Sequence, residues 1–222
     1  MRTGRPRSFD RDKALEGAIA VFWEHGYDAT SITLLTSVLG IGAPSLYAAF
    51  GDKRALFLEA LDRYMRTYGA FTGRALAEEP NARDAVERLL REAAAAYTRP
   101  ERPHGCLLIT AATNCSPQSA DIAAHLRELR AVGARALEDK IAAAARTGEL
   151  PADTDAHALA TFYAAVLQGM SAQARDGAAR TDLEQIAEAA LHAWPSAAGQ
   201  GAGESAGAAP KRSRRPASSA RS

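Results

Sequence analysis

The stretch T-S-I-T-L-L-T-S-V-L-G-I-G-A-P-S-L-Y-A-A-F, from Thr30 to Phe50, decides the fold. It reads as two short helices around a turn at Gly40. Thr30 is expected to cap the first helix, its hydroxyl accepting from an orphan amide of the opening turn. Ile32, Leu35, Val38 and Leu39 recur at helical spacing and should form one buried face. Gly40 can take the left-handed conformation that ends a helix and that a Cβ disfavours. Pro44 suits the first turn of the second helix, where its missing amide hydrogen costs nothing. Leu46 and Phe50 lie four apart on the inner face, leaving Ser45, Tyr47 and Ala48 outward. Two short helices, a glycine turn and a shared apolar core describe a helix-turn-helix unit rather than a plain helical hairpin.

The flanks extend this reading. G-R-P-R-S-F-D (Gly4–Asp10), F-W-E-H-G-Y-D-A-T-S (Phe22–Ser31) and P-S-L-Y-A-A-F-G-D-K (Pro44–Lys53) together resemble the N-terminal domain of the TetR/AcrR family of bacterial transcriptional regulators. The resemblance covers roughly residues 4 to 68. It implies an all-helical, dimeric, ligand-responsive protein that binds double-stranded DNA.

Charge is distributed to match. The 222 residues carry 27 basic and 26 acidic side chains, a formal net charge of +1. Arg2, Arg5, Arg7, Arg11 and Lys13 crowd the start, whereas residues 69–194 hold 13 basic and 17 acidic groups. A positive end on a mildly acidic body suits a small DNA-facing unit on a larger one. No apolar run is long enough to span a membrane and no secretory leader is recognisable, so a cytoplasmic location is expected. Cys106 and Cys115 make no disulfide framework.

Four parts are expected: a flexible basic arm over 1–8, a DNA-binding domain over 9–68, a helical ligand-binding and dimerisation domain over 69–195, and a disordered basic tail over 196–222. In the first, Arg5 and Arg7 are candidates for phosphate or minor-groove contact. Helix 1 should run from an Asp10 cap to just before Gly26, with Leu15, Ala18, Ile19 and Phe22 inward. Helix 4 should run from Asp52 to about Phe71. Lys53 in its first turn opposes the helix dipole, which suggests a phosphate partner; the resemblance supports that role. The outward residues Ala43, Pro44, Ser45, Tyr47 and Ala48 include no bidentate base reader. Readout is therefore expected to rest on Ser45, on contact with thymine methyls, and on DNA shape. Thr30, Ser31 and Thr33 complete the DNA-contacting set.

Beyond Pro80, helices are expected over about 82–98, 118–146, 154–176 and 182–194. A short helix, apolar on all sides, should begin near Cys106, with its G-C-L-L start resembling the family's effector domain. Tyr97, Cys106, Thr110, Asn114, Tyr163 and Gln168 are polar groups in apolar helices and candidates for an effector pocket. Phe162, Val166, Gly169, Met170, Ile186, Ala190 and Trp194 are candidates for a four-helix dimer interface, as the resemblance implies. One helix-turn-helix offers little contact, and a two-fold axis doubles it.

Cys106 at a helix start is also a candidate thiol sensor, since a helix dipole lowers a thiol pKa. His104, Cys106 and His125 lack a compact metal-ligand spacing, and neither metal nor cofactor is expected. An enzyme is disfavoured by the absence of a P-loop, a G-x-S-x-G elbow, an H-E-x-x-H pair and a dinucleotide fingerprint. A protein-binding helical adaptor is the remaining rival. The expected function is a transcriptional regulator, a repressor released from a palindromic operator by a small molecule.

Overall fold

The computed structural model describes residues 9–113 and 115–195, and among them it holds helices and no strand. The first four helices are α1 (Arg11–Ala29), α2 (Ile32–Leu39), α3 (Ala43–Phe50) and α4 (Lys53–Arg66). The body follows as α5 (Ala70–Glu78), α6 (Ala82–Tyr97), α7 (Leu107–Thr113), α8 (Ala120–Thr147), α9 (Ala156–Arg175) and α10 (Arg180–Leu191). Side-chain caps start five of these ten helices. Asp10 accepts from the Asp12 and Lys13 amides, Asp52 from Ala55, Asn81 from Asp84 and Asp155 from Ala158.

Several local expectations are corrected. Ser31, not Thr30, caps α2, accepting from the Leu34 amide at 3.0 Å. Thr30 is fully buried and its hydroxyl donates to the Gly26 carbonyl at 2.6 Å. Gly26 stands at φ 77°, where the chain kinks out of α1 before a last turn to Ala29. Val38 is 56% exposed; Ile32, Leu35 and Leu39 make the inner face without it, because Val38 lies a sixth of a helical repeat beyond their line. Gly40 does take the left-handed conformation, at φ 63°. The helix expected from about 154 starts at Ala156, capped by Asp155.

Helix 4 does not reach Phe71. It stops at Arg66, where the Tyr64 carbonyl accepts from both the Thr67 and Gly69 amides, and α5 begins at Ala70. Tyr64, Tyr68 and Phe71 keep helical spacing across this break, so periodicity does not reveal it. Only packing does. Tyr64 belongs to one core and Phe71 to another.

Those two cores divide the molecule. The first gathers Leu15, Ile19, Phe22, Leu35, Leu46 and Phe57 from α1 to α4, each 3% exposed or less. It is completed by Leu107, Leu108 and Ala111 of α7 and by Ile122 and Leu126 of α8. The second lies among α5, α6, the rest of α8, α9 and α10. Each buried leucine or phenylalanine contributes about 1.5–3 kcal/mol. The apolar helix α7 is thus the plate between the DNA-type unit and the body.

Candidate nucleic-acid interface and effector cavity

Helices α2 and α3 meet at a bend of 96°. Leu46 and Phe50 anchor α3 inward, as the spacing predicts. Its opposite side presents Pro44, Tyr47 (48% exposed) and Ala48, with Ala43 and Ser45 half-buried. Ser31 and Thr33 stand exposed at the start of α2. Thr30 does not join them, because its side chain is sealed inside. Arg5 and Arg7 lie outside the described residues.

Two basic residues brace this unit. Arg11 forks onto Glu59 at 2.6 and 2.7 Å, donates to the Ala49 carbonyl, and stacks on the Phe50 ring at 4.5 Å. It joins the end of α3 to α4 and suits the negative end of the α3 dipole. Lys53 is turned inward. Its ammonium donates to the Tyr27 carbonyl at 2.9 Å and the Thr30 carbonyl at 3.0 Å, and sits 4.2 Å from the Tyr27 ring centroid. Burial pulls its pKa down, with Asp28 opposing the shift. Sequence reasoning missed this role because the accepting carbonyls belong to a chain reversal 23 and 26 residues away.

In the body, a cavity of about 520 Å³ opens between α5, α6, α7, α8 and α9. Its walls are mainly apolar, including Leu76, Leu89, Leu108, Ile109, Leu129 and Leu167. Tyr97, Cys106 and Gln168 line it, three of the six expected pocket residues. Tyr163 does not; its hydroxyl donates to the Ala190 carbonyl at 3.1 Å in the second core. Thr110 faces Arg175 at 3.5 Å on the other side of α7. Asn114 lies outside the described residues. Arg74 and Arg130 also line the cavity and were not foreseen, since charged residues on amphipathic helices ordinarily read as solvated.

Cys106 does not fit a reactive sensor. Burial pushes its thiol up from the ordinary value, against hydrogen bonds from Tyr64 and backbone amides. The Tyr64 hydroxyl lies 3.4 Å from the sulfur. The helix expected to activate it, α7, spans only seven residues, and desolvation outweighs its dipole. Among the described residues no group of three or more His, Cys, Asp or Glu is placed to hold a metal.

The two halves are fastened at several points. Asp28, at the end of α1, accepts from the Ser116 amide and the Ser119 hydroxyl before α8. Arg54 pairs with Asp121 at 2.6 Å. Arg175 of α9 donates to the Trp23 and Glu24 carbonyls of α1 at 3.3 and 3.2 Å.

On the outer side of the body, α9 exposes Phe162 (40%) and Gly169, with Val166, Ile186 and Trp194 half-buried beside them. Met170 and Ala190 are 0% and 6% exposed and belong to the second core, not to this face. They share the helices' apolar stripe, and a stripe alone does not separate core from interface. No single helix among the described residues is long and apolar enough to cross a membrane.

A helix-turn-helix riding on a helical body with an internal cavity defines a class of regulator. Residues 14–60 match the family described as bacterial regulatory proteins, tetR family, and residues 82–190 match the tetracyclin repressor-like C-terminal domain. The chain belongs to the TetR family of transcriptional regulators. It is 39% identical over 193 residues to the HTH-type transcriptional repressor ComR of Escherichia coli (strain K12), covering 86% of this chain and 92% of ComR. The repressor BdcR of the same organism is 31% identical over 190 residues, 86% of this chain and 90% of BdcR. A cysteine mutant of the TetR family regulator CifR, solved with 26-base-pair double-strand operator DNA, is similar at a TM-score of 0.83 and 44% identity, covering 86% of this chain and 100% of that one.

Proposed function

We propose that this protein is a cytoplasmic repressor that binds a palindromic operator as a homodimer and is released by a small molecule held in the body cavity. The observation that carries the reading is the outward face of α3, held at 96° to α2 by a buried core. A helix so presented fits the major groove. The known complex of CifR with operator DNA supports the same reading by likeness. Ala43, Pro44, Ser45 and Ala48 reach the bases, Ser31, Thr33 and Tyr47 reach the backbone, and Arg5 and Arg7 follow the phosphates. No forked donor stands on α3, so sequence is read by shape and thymine-methyl contact more than by bidentate pairs. The assignment is one of binding, with no catalytic step.

The fold offers a route from effector to DNA. Cys106, Leu108 and Ile109 line the cavity, while Leu107, Leu108 and Ala111 pack in the core shared with α1. A molecule filling the cavity presses on α7, and α7 bears on α1, to which the helix-turn-helix is joined. Release follows if the molecule binds better to the released spacing of the two recognition helices than to the DNA-bound spacing.

Selection of bound sequences from random duplex DNA tests this. The protein should enrich a palindrome, and a Ser45→Ala, Tyr47→Ala double variant should lose it while keeping its fold. Absence of enrichment across a range of salt, with cell extract added to supply any corepressor, would overturn the reading. A steep fall of affinity with salt separates operator binding from apolar protein association.

A further inference from the structure

Of the twelve arginines between residues 69 and 194, Arg74, Arg83, Arg88, Arg91 and Arg180 are held in ion pairs among the described residues. Arg88 grips Glu78, Glu79 and Glu92 at 2.8, 2.9 and 2.6 Å. Arg91 pairs with Glu87 and Arg180 with Glu184. Arg74, at the cavity, reaches Glu92 at 4.0 Å.

Arg130, midway along α8, lines the cavity without such a pair. Among the described residues it forms no ion pair, and its hydrogen bond is one from Nη1 to the Leu108 carbonyl at 3.2 Å. The side chain is half-buried and lines the 520 Å³ cavity beside Leu108, Ile109 and Leu129. Burial and the neighbouring Arg127 both work against its charge, and no carboxylate is among the groups acting on it. A guanidinium stays protonated even so, which leaves a positive charge against an apolar wall with most of its five N–H donors free. A charge in that position costs free energy unless it is paired. The protein supplies no carboxylate partner among the described residues.

We propose that the cavity is built for an amphipathic organic anion, with an apolar body along α5, α6 and α7 and a single carboxylate held by Arg130. This deepens the reading of the protein as an effector-released regulator and rests on it. The volume falls within the range of small-molecule sites, and the walls match a ligand whose greater part is hydrocarbon. The planar fork of Arg130 matches a carboxylate in two parallel hydrogen bonds. Those bonds lie next to Leu108, so head-group binding acts directly on α7. The carbonyl that Arg130 now holds is released or shared when the anion arrives, which gives α7 a reason to move.

The test uses the full chain, calorimetry, and two probes of equal length, decanoate and decan-1-ol. The acid should bind about tenfold tighter than the alcohol or better, the range expected for hydrogen bonds to a charged group. In Arg130→Met the preference should vanish, with alcohol affinity unchanged; alcohol binding also shows that the variant is folded. Arg130→Lys should restore part of the preference, since it returns the charge without the fork. Equal binding of acid and alcohol by the unaltered protein overturns the proposal, as does a preference that survives in Arg130→Met. Binding of neither probe overturns it too. Operator selection without ligand stands apart from all of these outcomes, so the regulator reading fails or holds independently.

Discussion

Thr30 and Ser31 are neighbours with similar chemistry and opposite fates. The serine hydroxyl caps α2 at the surface, and the threonine hydroxyl is sealed within the kink of α1 on the Gly26 carbonyl. Lys53 closes the same kink by donating to the Tyr27 and Thr30 carbonyls. The reversal between α1 and α2 is thus built on side chains that satisfy carbonyls no helix can satisfy. Thr30→Val keeps the shape and removes the donor, leaving a buried carbonyl short of a partner. It should destabilise the protein by about 1–3 kcal/mol, against about 1 kcal/mol for Ser31→Ala, a cap open to water. Urea unfolding of the two variants checks the order. A cost for Thr30→Val no greater than for Ser31→Ala would contradict the burial argument.

At the scale of elements, α7 is the joint. It is too short to be stable alone, and it is held by α1 on one side and α8 on the other. The Asp28 latch fixes the chain that leaves it. Burial raises the Asp28 pKa, but hydrogen bonds from Ser119 and Ser116 outweigh it, and the net shift is downward. A carboxylate with a lowered folded value adds stability above its unfolded value of about 3.9 and loses it as pH falls through the folded value. Asp28→Asn should therefore cost about 1 kcal/mol at neutral pH, allowing for solvent screening. The gap between variant and unaltered protein should close in acid. Denaturation curves taken from pH 7 down to about pH 3 measure this; a gap independent of pH would assign the cost to packing instead of charge.

At the scale of the molecule, the exposed residues of α9 and α10 are the surface proposed to pair one helix-turn-helix with a second. Phe162 stands out from α9 with its ring edge on Tyr163 at 5.0 Å, backed in turn by Trp194 at 5.8 Å. This aromatic stack has the makeup of an interface anchor. Phe162→Glu should convert the dimer to a monomer in sedimentation and weaken operator binding by about tenfold or more. The monomer should still unfold cooperatively, because Tyr163 and Met170, not Phe162, fill the second core. A variant that remains dimeric would place the two-fold axis elsewhere.

The sequence by itself determined the local alphabet of this protein. The cap at Asp10, the left-handed turn at Gly40, and the inner pair Leu46 and Phe50 all follow from short-range chemistry, and each is where that chemistry puts it. Motif spacing carried the family as well. Tertiary structure alone decided which side of an apolar stripe is core. Met170 and Phe162 lie on one helix and look alike in periodicity, yet one is sealed and the other is open. It alone decided the break between α4 and α5, the inward turn of Lys53 and the unpaired charge of Arg130. The reason is one of range. Helix propensity and capping act within a few residues. Burial and charge compensation depend on groups tens of positions away, as with the 88 residues separating Asp28 from Ser116.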